Sequence, residues 1–186
     1  MKGGVAFSFV EGEPVETSWT DQNYSNAWLA LDRNGNGTID SGKELFGDLT
    51  PQPASAAPNG YKALAVFDDP KNGGNGNGRI DPGDAVYSSL RLWVDRNHNG
   101  ISEPGELFTL PEAGVFAISL QYSEDDRTDA FGNKFRFMAR IWDKNGQDDH
   151  KCYDVLLMTA PPPAQQASQS GSTSLNSAVR NGSSIR

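Results

Sequence analysis

The sequence predicts an α+β domain in which antiparallel strands and short helices carry glycine-rich, acidic loops. Three observations lead there. Large apolar side chains are spread over Val5 to Trp28, Tyr61 to Trp93 and Val115 to Trp142, so burial runs along the chain instead of collecting in one place. Segments of alternating apolar and polar residues are punctuated by Asn-Gly and Pro-Gly pairs, which favour turns. Two stretches, "DRNGNGTIDSGKEL" from Asp32 and "DRNHNGISEPGEL" from Asp95, repeat one another from their opening Asp-Arg-Asn to their closing Glu-Leu.

The elements follow in order. "VAFSFV" and "VETSW" alternate around "EGEP", which predicts a strand pair with a tight turn. "NAWLALD" runs into the first acidic stretch, and "PQPASAAP" is a proline-broken surface loop. "NGYKALAVF" predicts a short helix with Tyr61, Leu64 and Ala65 on one face. From Gly73 to Leu110 the pattern is loop, short helix, strand, loop, short helix, with Pro82 in a first helical turn, where its missing N–H costs nothing. "VFAISLQY" and "FRFMARIW" predict strands joined through "DAFGNK", "DKNGQDD" a turn, and "YDVLLM" a last strand. Residues 1–159 then form one domain. Residues 160–186, rich in Ser, Pro and Gln and poor in large apolar side chains, form a disordered tail or linker.

Composition removes several functional classes. The chain has 186 residues and a formal net charge of −8, with no cluster of Lys or Arg, so it repels phosphate backbones and has no nucleic-acid footprint. Cys152 is the single cysteine, which excludes an internal disulfide. No apolar stretch is long enough to span a bilayer, and "MKGGVAFSFVEGEP" makes a poor signal peptide because Ser8, Glu11 and Glu13 interrupt it. No pairing of nucleophile with base, phosphate-cradling loop or metal-hydrolase pattern stands out, so the chain reads as non-enzymatic.

The repeated stretches have the chemistry of calcium loops. Calcium is a hard cation that takes six to eight oxygens around a sharp glycine turn, from carboxylates, amides and backbone carbonyls. In the later copy Asp95, Asn97 and Asn99 take loop positions one, three and five; Gly100 turns, Ile101 offers a carbonyl, Glu103 sits at nine and Glu106 at twelve. In the earlier copy Asp32, Asn34, Asn36, Thr38 and Asp40 repeat that order, but position twelve is Lys43. Glu44 comes one residue late, so the loop must bulge, or Glu44 or Asp48 must reach in. A middle loop offers Asn75, Asn77, the Arg79 carbonyl, Asp81 and Asp84 at the same offsets, with Gly73 where the first ligand should be. Asp68 or Asp69 fills that position only through an insertion. Two calcium ions are expected, or three with the middle loop.

These residues resemble EF-hand-like calcium loops. The longer order "LALDRNGNGTIDSGKELFGD", "NGYKALAVFD", "NGNGRIDPGDAVYSSLRLWVDRNHNGISEPGELFTLPEAGV" resembles the calcium-binding modules of large secreted bacterial proteins, including haemolysin-type and RTX-associated ones. The resemblance implies EF-hand-like loops within the α+β class and a structural, extracellular role. Members of that group often carry an aspartate-rich turn near the start, where this chain reads "FSFVEGEPVE".

Asparagine at positions three and five lowers the charge that attracts the ion, which predicts affinities of about 10⁻⁴ to 10⁻³ M, those of extracellular modules. The expected location is therefore extracellular or at the cell surface. The expected partners are calcium ions and another extracellular protein or further copies of the chain. Two alternatives remain: a dockerin-like module that binds a protein partner through calcium, and a self-processing module, which some RTX proteins resembling this chain carry, cutting Asp69-Pro70 or Asp81-Pro82 when calcium arrives. Ordinary readings stand beside these. Asn-Gly pairs also make hairpins, Asn36-Gly37-Thr38 matches a glycosylation site by coincidence, His98 should face solvent, His150 and Cys152 lack the further ligands of a zinc site, and the four tryptophans suit a core.

Overall fold

In the computed structural model the described residues are 4–10, 14–21, 26–148 and 150–160. The turn expected around "EGEP" falls mostly outside them, as does the expected tail from residue 161 onward.

Alternation in the first two segments makes a ribbon of β1 (Gly4–Phe7) and β2 (Val15–Ser18), paired antiparallel with Phe7 opposite Val15. The second sheet holds β3 (Trp28–Leu31), β5 (Leu90–Trp93) and β6 (Leu107–Thr109) in the order β3-β5-β6. The third holds β4 (Arg79–Ile80), β7 (Ala117–Glu124), β8 (Lys134–Trp142) and β9 (His150–Leu156) in chain order, all antiparallel.

The β3-β5-β6 sheet is a wall between two cores, which explains why "WLAL" is apolar at successive positions and "LRLW" at all but Arg91. On one side Ala30 and Trp93 join Val5, Phe7, Trp19, Ile39 and Leu45. On the other, Leu29, Leu31 and Leu90 meet Leu64, Ile80, Tyr87, Leu110 and Ile118. Ile80, Leu90 and Leu110 are fully buried, and burial of each contributes about 1.5–3 kcal/mol.

The expected α+β class is corrected to a mainly β architecture. Among the described residues there is one α-helix, α1 (Gly60–Ala65), six residues long, and three short 3₁₀ turns. Asn59 caps α1 by accepting from the Lys62 N–H at 2.9 Å. Its buried face is Tyr61, Ala63 and Leu64, while Ala65 is exposed, contrary to the expected grouping. No helix starts at Pro82. A turn leads instead to a 3₁₀ segment at Tyr87–Ser89, and β6 stands where a helix was expected after Glu106. Pro82, Gly83, Pro104 and Gly105 break any helical continuation.

The loops are therefore not EF-hand units, in which helices flank the loop. Asp32 leaves β3, and the chain returns to pair Leu45 with Ala30. Asp95 leaves β5, and the chain returns as β6 with Leu107 opposite Trp93. The later acidic stretch connects an antiparallel strand pair, and the earlier one leads from β3 back to a single antiparallel bridge at Leu45.

Candidate metal centres

Three loops share one backbone course. Positions four and six are left-handed in each: Gly35 and Gly37, Gly76 and Gly78, His98 and Gly100, with φ between 60° and 84°. His98 is the single non-glycine residue with positive φ among the described residues, at 60°. It is half-buried, and its Nε2 meets the Thr20 carbonyl, which corrects the expectation that it faces solvent.

The first carboxylate of each loop gathers the N–H groups of the glycine turn. Asp32 Oδ2 accepts from Gly37 at 2.8 Å, Asp95 Oδ2 from Gly100 at 2.8 Å, and Asp68 Oδ2 from Gly78 at 2.9 Å. Asp68 thus holds the position that the sequence offset assigned to Gly73. The five inserted residues, 69 to 73, fold into a 3₁₀ turn over Pro70–Asn72, where Asp69 Oδ1 accepts from Lys71 N–H at 2.9 Å. A signal for Asp68 was present: "LALD", "AVFD" and "LWVD" each run an apolar segment into aspartate. Fixed spacing hid it.

The last carboxylate clamps both ends of its loop. Glu106 accepts from Arg96 N–H at 2.8 Å and Glu103 N–H at 3.4 Å. Glu44 does the same with Arg33 at 3.1 Å and Asp40 at 2.9 Å, so it, not Asp48, completes the earlier loop. The 3₁₀ turn at Gly42–Glu44 absorbs the extra residue, and Asp48 pairs with Arg136 instead. In the middle loop Asp84 accepts from Asn75 at 3.0 Å and Asp81 at 2.8 Å. Glu44, Asp68, Asp84, Asp95 and Glu106 are all buried.

The intervening ligand candidates line up equally. Asn36, Asn77 and Asn99 each accept from the N–H two residues on, at 2.7–2.9 Å. Asn34, Asn75 and Asn97 do likewise at 2.9–3.2 Å. The position-nine acids take amide N–H groups: Asp40 from Asn36 at 2.7 Å, Asp81 from Asn77 at 2.8 Å, and Glu103 from Asn97 at 2.5 Å. The side chains of Thr38, Arg79 and Ile101 are exposed, as suits residues offering only a carbonyl.

Each loop brings three carboxylates and two amide oxygens to one turn, an all-oxygen donor set that suits a hard cation and excludes a soft one. As the side chains stand, no three His, Cys, Asp or Glu residues among the described ones form a ready-made metal group. The physical reason is visible: the buried carboxylates are spent on backbone N–H groups, and the position-nine acids on asparagine amides. Most of these carboxylate oxygens keep a second lone pair, whereas Asp32 Oδ1, Asp81 Oδ1 and Glu106 Oε2 each accept from two donors, one of which an ion would have to displace.

Two loops touch. The Ile39 N–H donates to Ser102 Oγ at 2.6 Å, joining position eight of the Asp32 loop to position eight of the Asp95 loop. The middle loop pairs elsewhere, through Ile80 opposite Ile118 of β7. "DKNGQDD" is the turn it was expected to be: Gly146 N–H donates to the Asp143 carbonyl at 3.0 Å and Asp143 N–H to that of Gln147 at 2.9 Å.

The SPM domain family model matches residues 1–158. The iron-regulated protein FrpA of Neisseria meningitidis serogroup C is 40% identical over 124 residues, which is 66% of this chain and 10% of that protein. The chain thus matches about a tenth of the length of that curated relative.

Proposed function

The chain belongs to the SPM domain family, and on that premise we propose that it is a non-catalytic extracellular calcium-binding module, of the kind found in large secreted haemolysin-type and RTX-associated bacterial proteins. Its bound ions stabilise the fold, and the module serves a secreted or surface assembly. One observation carries the reading: three loops of different sequence spacing reach the same arrangement of opening carboxylate, two left-handed positions and clamping carboxylate. A turn that needed only to reverse the chain would not bury its closing carboxylate in all three loops, and its opening one as well at Asp68 and Asp95, because burying charge is costly without a partner.

In this reading Asp32, Asn34, Asn36, Asp40 and Glu44 hold one ion through side chains, with the Thr38 carbonyl. Asp68, Asn75, Asn77, Asp81 and Asp84 hold a second with the Arg79 carbonyl, and Asp95, Asn97, Asn99, Glu103 and Glu106 a third with that of Ile101. The ion draws together carboxylates that otherwise repel, so each site adds about 2.7 kcal/mol at a hundredfold excess over its dissociation constant. Calorimetric titration of metal-stripped protein should give two or three sites with sub-millimolar to millimolar constants. Absence of heat from added calcium would overturn the reading.

A second reading is calcium-triggered cleavage at Asp-Pro. Both bonds adjoin the middle loop, and Asp81 is itself a proposed ligand. Against cleavage, Asp69 Oδ1 accepts from Lys71 N–H at 2.9 Å and Asp81 Oδ1 from Gly83 N–H at 2.8 Å, which occupies an oxygen of each carboxylate with the turn beyond its proline. Intact mass after incubation with calcium should stay that of the whole chain; two fragments split at either bond would replace the structural role with self-processing.

A further inference from the structure

The β4-β7-β8-β9 sheet has one face against α1 and the second core and one face outward. On the outer face lies a cavity of about 560 Å³. Its charged lining is Arg79 from β4, Arg140 from β8 and Lys151 from β9, and no Asp or Glu lines it among the described residues. Such a basic hollow is unexpected in a chain of net charge −8. Sequence scanning missed it because its three cations lie 61 and 11 residues apart in order, and only strand pairing gathers them.

A second observation is independent of the cavity. Arg140 and Lys151 are direct partners in the β8–β9 register. Like charges directly opposite one another on neighbouring strands destabilise a sheet. Asp148 relieves this in part, pairing with Arg140 at 2.5 Å on the rim, where both side chains are substantially exposed. A bound anion between the two cations would relieve it fully.

The remaining lining narrows the ligand. Trp142 presents an indole, with the Arg79 guanidinium 4.4 Å from the ring centroid. Gln121 and Ser123 are exposed polar neighbours on β7 that also line the hollow. The volume is several times that of one phosphate or carboxylate, so a free ion would leave most of it empty. A guanidinium stacked on an indole beside neutral hydrogen-bonding side chains, with two further cations along the sheet, matches a chain of hydroxyl-rich rings that carry carboxylates.

We infer that this outer face is a binding site for an acidic oligosaccharide, a uronate-bearing chain, gripped by Arg79, Arg140 and Lys151 with a sugar ring beside the Arg79–Trp142 stack. The inference rests in part on the proposed calcium reading, because Asn77, Gly78 and Arg79 of the middle loop also line the hollow.

The test titrates the full chain in millimolar calcium with tetragalacturonate, a neutral tetrasaccharide of the same length and tetraglutamate, followed by calorimetry and tryptophan fluorescence. Tetragalacturonate should bind at least about tenfold more tightly than either control. R140Q and K151Q should each weaken it about tenfold. Neither variant should lower the melting temperature appreciably, because each removes a like-charge contact, and the Arg140–Asp148 pair that R140Q also removes is exposed and contributes little. Binding of the uronate that R140Q and K151Q leave unchanged would mean calcium bridging elsewhere and would overturn the site. Equal binding of the neutral sugar, no binding of the uronate, or tighter binding of tetraglutamate, which would mark an acidic-peptide face, would also overturn it. The melting temperature with and without calcium, read on the same samples, reports separately on the loops.

Discussion

Gly74 sits where no side chain can. A Cβ there would lie 2.1 Å from the carbonyl carbon of Asp68, the residue that opens the middle loop. Gly74→Ala should therefore displace Asp68, cost about 2–3 kcal/mol in urea unfolding, and remove one calcium site from the calorimetric count while leaving the others. Gly100 is constrained differently, by a φ of 73° and by the Ala6 carbonyl 3.0 Å from its would-be Cβ. Arg33 and Arg96, the shared second residue of the two repeats, stack on aromatic rings, Arg33 on Phe46 and Phe67 and Arg96 on Phe108. Their repetition reflects packing of the loop base as much as charge. Cys152 carries a pH prediction. Burial pushes its thiol above the ordinary 9.0, and burial followed by the nearby Cys152 pushes the Tyr61 hydroxyl above 10.0. An acid whose folded pKa is raised contributes stability that is complete below its unfolded pKa and lost as pH rises beyond it. The urea midpoint should accordingly fall once pH exceeds about 9, and iodoacetamide should label native Cys152 at pH 8 far more slowly than the unfolded chain.

Among the elements, two contacts between distant segments hold the loops in position. Ser102→Ala removes the hydroxyl that accepts the Ile39 N–H, leaving a buried donor unpaired at a cost of about 1–3 kcal/mol. It should also uncouple calcium binding at the Asp32 and Asp95 loops; equally coupled sites in both proteins, or uncoupled sites in the unsubstituted one, would disprove that this bond couples them. The second contact centres on buried Asp154, whose carboxylate accepts the Gly60 N–H at 2.6 Å and pairs with Arg136 at 2.6 Å. Arg136 also reaches Asp48 at 3.1 Å, so β8, β9, the start of α1 and the chain after the first loop meet there. Asp154→Ala leaves a largely buried guanidinium with only an exposed partner. It should cost about 3 kcal/mol, measured by chemical denaturation.

For the whole molecule, the two cores on either side of the β3-β5-β6 sheet are closed by loops that hold ten of the 24 acidic residues. Stability should therefore depend on the charge state of those loops more than on any single apolar contact. Millimolar calcium should raise the melting temperature of stripped protein well above its value in chelator, and magnesium should do so less, because magnesium demands a tighter octahedral site. Identical melting curves in chelator and calcium would contradict the structural role.

The sequence by itself determined what is local. Asn-Gly and Asp-x-Asn offsets prescribe left-handed turns closed by side-chain oxygens, and alternation prescribes β1, β2, β7, β8 and β9, so the ligand candidates of the Asp95 loop, those of the Asp32 loop up to Asp40, and the β1-β2 and β7-β8 pairs could be read from spacing alone. Tertiary structure decided the rest. The apolar run "WLAL" and the mostly apolar "LRLW" became strands of a wall with a core on each face, and the short helices expected on either side of "LRLW" did not form. Asp68 reached the middle loop across an insertion whose folding no offset encodes. Glu44 replaced position twelve because a 3₁₀ turn took up one residue. Arg79, Arg140 and Lys151 became neighbours only through strand order and register, which depend on contacts between segments far apart in the chain.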